Sequence, residues 1–141
     1  MISLIFSTFM MVATSADLPQ CSADQVLGIW ANEDGTSHIE IYRQSGKYYG
    51  KISWAKALNN KAGKPHTDRK NPDPTLRDRP ILGMDIISGL SYSNCQWTEG
   101  EFYIPSKGKT ADCSITLNGN HSLLLTVSIS TFSTTKKFTR L

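Results

Sequence analysis

Apolar and polar residues alternate with a period of two along most of the chain. Across residues 37–43, Ile39 and Ile41 fall on one face and His38, Glu40 and Tyr42 on the other. Residues 47–54 repeat the pattern, with Tyr48, Gly50, Ile52 and Trp54 sharing one side and Tyr49, Lys51 and Ser53 the other. Such alternation predicts half-buried antiparallel strands. Further strands are expected over 81–92, 96–98, 101–105, 109–117, 121–129 and 134–141, and an extended segment begins at Gly28-Ile29-Trp30. Glu33-Asp34-Gly35, Gln44-Ser45-Gly46, Ser106-Lys107-Gly108 and Asn118-Gly119 read as turns, the last being the strongest hairpin signal.

Helical signals are short. Ser22-Ala23-Asp24-Gln25 has the form of a capping box and predicts one helical turn before Gly28. Asp73-Pro74-Thr75-Leu76-Arg77 predicts another, with Asp73 as cap and Pro74 at the first position. Eight to ten short strands joined by tight turns imply a barrel or a sandwich. Neighbour-to-neighbour order favours an up-and-down antiparallel β-barrel, with a short N-terminal helical turn and one long basic loop.

That loop, residues 55–80, breaks the alternation. It is rich in Asn, Gly, Pro, Lys and Arg, and loops of such length tend to be functional or disordered. Residues 56–79 carry +4, whereas the whole chain carries +3, so the basic excess is local. A local excess argues for an anion-facing loop rather than a nucleic-acid binder. Arg77 and Arg79 suit a carboxylate or phosphate, because the planar guanidinium grips either with two bonds. Asp73 and Asp78 are alternative partners that would simply pin the loop.

The first sixteen residues contain no charge, have an apolar middle and end on Ala13-Thr14-Ser15-Ala16. This predicts a signal peptide over 1–16, although the usual basic start is missing, and one mature domain over 17–141. The expected location is secreted or periplasmic, and the apolar run is too short to span a membrane. Three cysteines are an odd set for an exported chain. A Cys95–Cys113 disulfide is expected from segments that a barrel brings close, leaving Cys21 as a free thiol or an intermolecular bridge. Leu18-Pro19-Gln20-Cys21 is a poor lipidation signal, since Pro19 and Gln20 stand where small residues are needed.

Gly28-x-Trp30 after a helical turn, with Arg140 on the last strand, resembles the lipocalin-like (calycin) arrangement. That resemblance implies structural roles for Trp30 and Arg140, the guanidinium stacking on the indole at the closed end. Gly46-Lys47-Tyr48-Tyr49-Gly50-Lys51-Ile52-x-Trp54 and Asn71-Pro72-Asp73-Pro74-x-Leu76-Arg77-x-Arg79-Pro80-Ile81-Leu82-Gly83 resemble the domain-of-unknown-function 2147 family. So do Gly108-Lys109-Thr110 and Cys113. The resemblance implies a small bacterial envelope protein with a lipocalin-like barrel, and no established activity. The chain departs from the family pattern at Tyr103-Ile104-Pro105, Ala111, Ser133-Thr134-Thr135 and Phe138-Thr139-Arg140, which thins the polar groups near one barrel end.

An eight-stranded barrel is just wide enough for side chains or one small ligand. Tyr48, Ile52, Trp54, Met84, Ile86, Trp97 and Tyr103 are the expected inner face. The ligand-binding set is then Tyr48, Trp54, Asn71, Arg77, Arg79, Trp97 and Tyr103, facing a small hydrophobic or amphipathic ligand, fatty-acid-like and anionic. The alternative is an envelope protein–protein interaction module with a fully packed barrel and residues 55–80 as its contact surface. His38 and Glu40, with His66 or His121, are a weak metal set. No nucleophile elbow, phosphate loop or Cys-x-x-Cys is present, so neither enzyme activity nor a cofactor is expected.

Overall fold

The computed structural model describes residues 21–141, together with Ile5 and Thr8. Apart from those two residues, the expected signal peptide lies outside the described residues. Eight strands close into a barrel in simple sequential order. They are β1 (Gly28–Asn32), β2 (Ser37–Gln44), β3 (Lys47–Ala55), β4 (Asp85–Ser93), β5 (Gln96–Ile104), β6 (Lys109–Asn118), β7 (Ser122–Ile129) and β8 (Phe132–Arg140). Every neighbouring pair is antiparallel, and β8 returns to β1 through Trp30 opposite Arg140. Full closure leaves no unpaired sheet edge.

Up-and-down order sorts the connections to two ends. The turns β2–β3, β4–β5 and β6–β7 lie at one end with the N-terminal 3-10 turn (Ala23–Val26), while β1–β2, β5–β6, β7–β8 and the long β3–β4 connection lie at the other. The first end is closed. Trp30 donates its indole N–H to the Val26 carbonyl at 3.0 Å, and Trp97 donates to the Ala23 carbonyl at 3.0 Å. The two rings are fully buried and their N–H groups satisfied, as a large amphipathic side chain requires.

Arg140 completes the floor. Its guanidinium lies 4.2 Å from the centre of the Trp30 ring. Its three nitrogens donate to the carbonyls of Asn120, Leu27 and Gln25 at 2.7, 2.7 and 2.6 Å. Tyr48 donates to Asp24 at 2.7 Å and Tyr92 to the Cys21 carbonyl at 3.1 Å. Burial, then the Asp24 carboxylate, pushes the Tyr48 phenol up to about 12, so it remains a donor at all ordinary pH. The Ser22 capping box is absent: Ser22 makes no side-chain cap bond, and Gln25 reaches Asn120 at 2.6 Å instead.

The cysteines pair differently from expectation. Cys21 is bonded to Cys95, and Cys113 is a buried free thiol. The reason is position in the barrel. Cys95 sits in the closed-end turn, beside the incoming N-terminal segment, whereas Cys113 lies within β6 opposite Gly100. Asn94 and Cys95 both take positive φ (50° and 64°), which makes a two-residue hairpin without glycine. Strand β5 is continuous rather than split, crossing a bulge at Glu99 (φ 62°). Gly100 beyond it has no side chain because Leu90 and the Cys113 sulfur occupy that space.

The long connection is ordered by its own hydrogen bonds. Asn59 bridges to Pro65 and Thr67 to Pro80, and Ile81 donates to the His66 carbonyl at 2.9 Å. Asp73 caps the short 3-10 turn Pro74–Leu76, as expected, accepting from the Thr75 N–H at 3.0 Å. The expected start of β4 at 81 is delayed to Asp85, because residues 81–84 form a turn returning to Ile52.

Candidate functional site

The closed half of the barrel interior is filled. Trp30, Tyr48, Ile41, Leu90, Trp97, Ile115, Leu123 and Leu125 pack the closed half without exposure. Toward the other end lies a hollow of about 360 Å³, within the usual range of small-ligand sites. Its apolar wall comes from Ile39, Ile52, Ile86, Phe102 and Phe138, with Lys136 on one side and the β1–β2 turn at Glu33 and Asp34 above. A second hollow of about 380 Å³ adjoins it, sharing Phe102 and Lys136 and bounded by Ile104, Val127, Ile129 and Phe132.

Lys136 is the cation common to both hollows, with Lys137 also lining the first and Lys107 the second. On β8, Phe132, Thr134, Lys136, Phe138 and Arg140 alternate onto one face, and Arg140 fixes that face as inward. The Lys136 ammonium stands 5.7 Å from the Phe102 ring centre, within cation–π range. Among the described residues no carboxylate forms an ion pair with it. A positive group above an apolar hollow can hold the anionic head of a molecule whose tail fills the hollow.

The residues chosen from sequence fall elsewhere, and none of the seven lines these two hollows. Tyr48 and Trp97 belong to the closed floor. Trp54 is a correction to the inner-face reading. The β2–β3 register slips between His38 and Ile39, where Ile39 faces Ile52 but His38 faces Trp54. Ser53 is the extra residue, its hydroxyl buried without a partner, and the bulge reverses the alternation beyond it. Trp54 therefore lies outside, its ring tilted against His38 with 4.6 Å between ring centres. Ile52 and Ile86, before and across from the bulge, do line the hollow, and Met84 is buried beside them.

Asn71, Arg79 and Tyr103 do converge, on the fully buried Asp68 carboxylate. Tyr103 donates to Oδ1 at 2.6 Å, while Asn71 and Arg79 donate to Oδ2 at 2.8 and 3.1 Å. Tyr103 alternates with the inward Phe102, so it corrects to the outer face of β5. Burial alone would raise the Asp68 pKa, but the bonds from Asn71, Tyr103 and Arg79 outweigh it and lower the net value. Burial and the Asp68 contact in turn push Tyr103 up to about 12. Arg77 donates through Nε to the Asn71 carbonyl at 2.8 Å. These groups staple the long connection to the wall of β5, and the pinning acid is Asp68 rather than Asp73 or Asp78.

The β5–β6 turn anchors the same connection. Lys70 donates to the Ser106 carbonyl at 2.8 Å, and the Lys70 carbonyl occupies the space where Gly108 (φ 63°) would carry a side chain. Of the weak metal set, His38 packs against Trp54 and Glu40 pairs with Lys51 at 3.8 Å. No group of three His, Cys, Asp or Glu among the described residues is placed to hold a metal.

A closed eight-stranded barrel with a plugged floor, an inward Trp–Arg pair and a hollow at the far end defines a lipocalin-like protein. The chain belongs to the family described as "Uncharacterized protein conserved in bacteria (DUF2147)", which matches residues 28–140. Among solved structures it is similar to protein HP1028 from the human pathogen Helicobacter pylori, described as belonging to the lipocalin family. The two are 25% identical, with a TM-score of 0.68 over 82% of each chain. No curated relative matches the chain. Among the described residues no helix is long and apolar enough to cross a membrane. The Cys21–Cys95 disulfide is consistent with an oxidising compartment outside the cytoplasm.

Proposed function

We propose that this chain is an exported, non-enzymatic binding protein whose barrel takes a small amphipathic anion of fatty-acid type. The supporting observation is the Lys136 ammonium, without an ion pair among the described residues, on the wall shared by two hollows, above Phe102. The anionic head sits at Lys136 and the tail lies against Ile39, Ile52, Ile86, Phe102 and Phe138. Lys136 replaces Arg77 and Arg79 in this role, because both arginines donate within the long connection. The description of the Helicobacter pylori relative as a lipocalin fits this reading.

Isothermal titration calorimetry with dodecanoate tests it. Binding is expected with a negative heat-capacity change, the mark of apolar burial. Lys136→Gln should weaken binding about fivefold, the scale of a partly exposed ion pair. Absence of dodecanoate binding, with a bare mass by native mass spectrometry, would favour the interaction module that uses residues 55–80 as its surface.

A further inference from the structure

We infer that the open end of the barrel docks on a bilayer containing anionic lipid, with the β7–β8 tip inserted at the interface. Within residues 21–141 the exposed large apolar side chains are unevenly placed. Trp54, Leu76, Leu82, Ile129 and Phe132 belong to the open-end half or its long connection, whereas Ile29 and Leu141 lie at the closed end. Phe132 is 81% exposed and, with Ile129, forms the tip of the β7–β8 hairpin. Single exposed apolar residues need no explanation, but their concentration in one half, with Ile129 and Phe132 paired at its tip, does.

Charge runs the same way. Seven basic residues stand on the long connection, and Lys107 and Lys136 lie on neighbouring segments. The acids of this half are Glu33 and Asp34 across the mouth, Asp73, Asp78, Asp85, which accepts from Tyr42 at 2.5 Å, Asp68, which Arg79 neutralises, Glu40, which pairs with Lys51, and Glu101 and Asp112, opposite each other on β5 and β6; the basic residues still outnumber them. Ser106 joins the two features. It borders the hollow that Phe132 and Lys107 line, and also a cleft lined by His66, Arg69 and Lys70. An apolar tip flanked by cations is the composition that partitions into an anionic interface, where each basic group adds to the attraction. Docked this way, the barrel mouth faces the membrane. The inference deepens the binding proposal by naming the source of the cargo, an anionic bilayer rather than bulk water.

Flotation of the oxidised full chain tests it, using phosphatidylethanolamine–phosphatidylglycerol vesicles against phosphatidylcholine vesicles. Binding to the first and not to the second is expected, and it should fall with added salt. Phe132→Ser with Ile129→Ser should bind the anionic vesicles about tenfold more weakly, and Lys64→Gln with Arg69→Gln several-fold more weakly. Phe132→Ser alone, at the more exposed position, serves as the second variant, and circular dichroism checks that each is folded. No flotation, equal binding to both vesicles, or full binding by the folded tip variants would overturn the inference. Calorimetry with dodecanoate in vesicle-free solution reports separately on the barrel, so failure of docking and failure of cargo binding remain distinct.

Discussion

Removing the Cys21–Cys95 bond should destabilise the barrel mainly through the unfolded chain. The bridge closes a segment with a sequence separation of 74 residues. In the chain-entropy description, opening a loop of that size costs about 4 kcal/mol of stability at 25 °C. The folded state loses little of its own. The N-terminal segment is also held by Tyr92 on the Cys21 carbonyl, Trp97 on Ala23 and Arg140 on Gln25 and Leu27. Cys21→Ser should therefore keep the native fold while lowering the melting temperature by about 12–20 °C. The assay is urea unfolding of the oxidised protein and the variant, followed by tryptophan fluorescence, with disulfide peptide mapping of the oxidised form. A loss below about 1 kcal/mol, or mapping that joins Cys95 to Cys113, would refute the reasoning.

Trp30→Ala should cost about 3–5 kcal/mol, because it empties the floor and strips Arg140 of its ring; equilibrium unfolding checks this. Asp68→Asn keeps one acceptor oxygen but turns an amide N–H₂ toward donors, and should cost about 2–3 kcal/mol at neutral pH, discounted for the partial exposure of Arg79. Because the folded Asp68 pKa is lowered from 3.8, its stabilisation is present above that value and disappears as pH falls through the folded value. Wild-type and Asp68→Asn stabilities should thus converge in acid, and a constant gap would contradict the network. Cys113, pushed up to about 12 first by burial and then by Asp112 and Glu101, should resist iodoacetamide until the protein is unfolded, as mass spectrometry would show.

The barrel was legible because its signals are local. Alternation over β2 and β3, the Gly turns and the Gly28-x-Trp30 with Arg140 each act within a few residues or across one closure. The candidate site was less so. A single bulged residue, Ser53, turns Trp54 outward, and no composition marks it in advance. The stapled loop also hides its logic, since Asp68 looks like any other acid until Tyr103, Asn71 and Arg79 are folded around it. Lys136 was within reach. It lies four residues before Arg140, an even number, so an inward Arg140 implies an inward Lys136. The cysteine pairing was not, because it depends on which barrel end receives residue 21.

The account stands most directly on where an amphipathic anion sits. A crystal structure of the oxidised protein with dodecanoate should show the carboxylate beside the Lys136 ammonium and the chain running between Phe102 and Phe138. A carboxylate held by Arg77 and Arg79 outside the barrel, or both hollows empty under saturating dodecanoate, would contradict it.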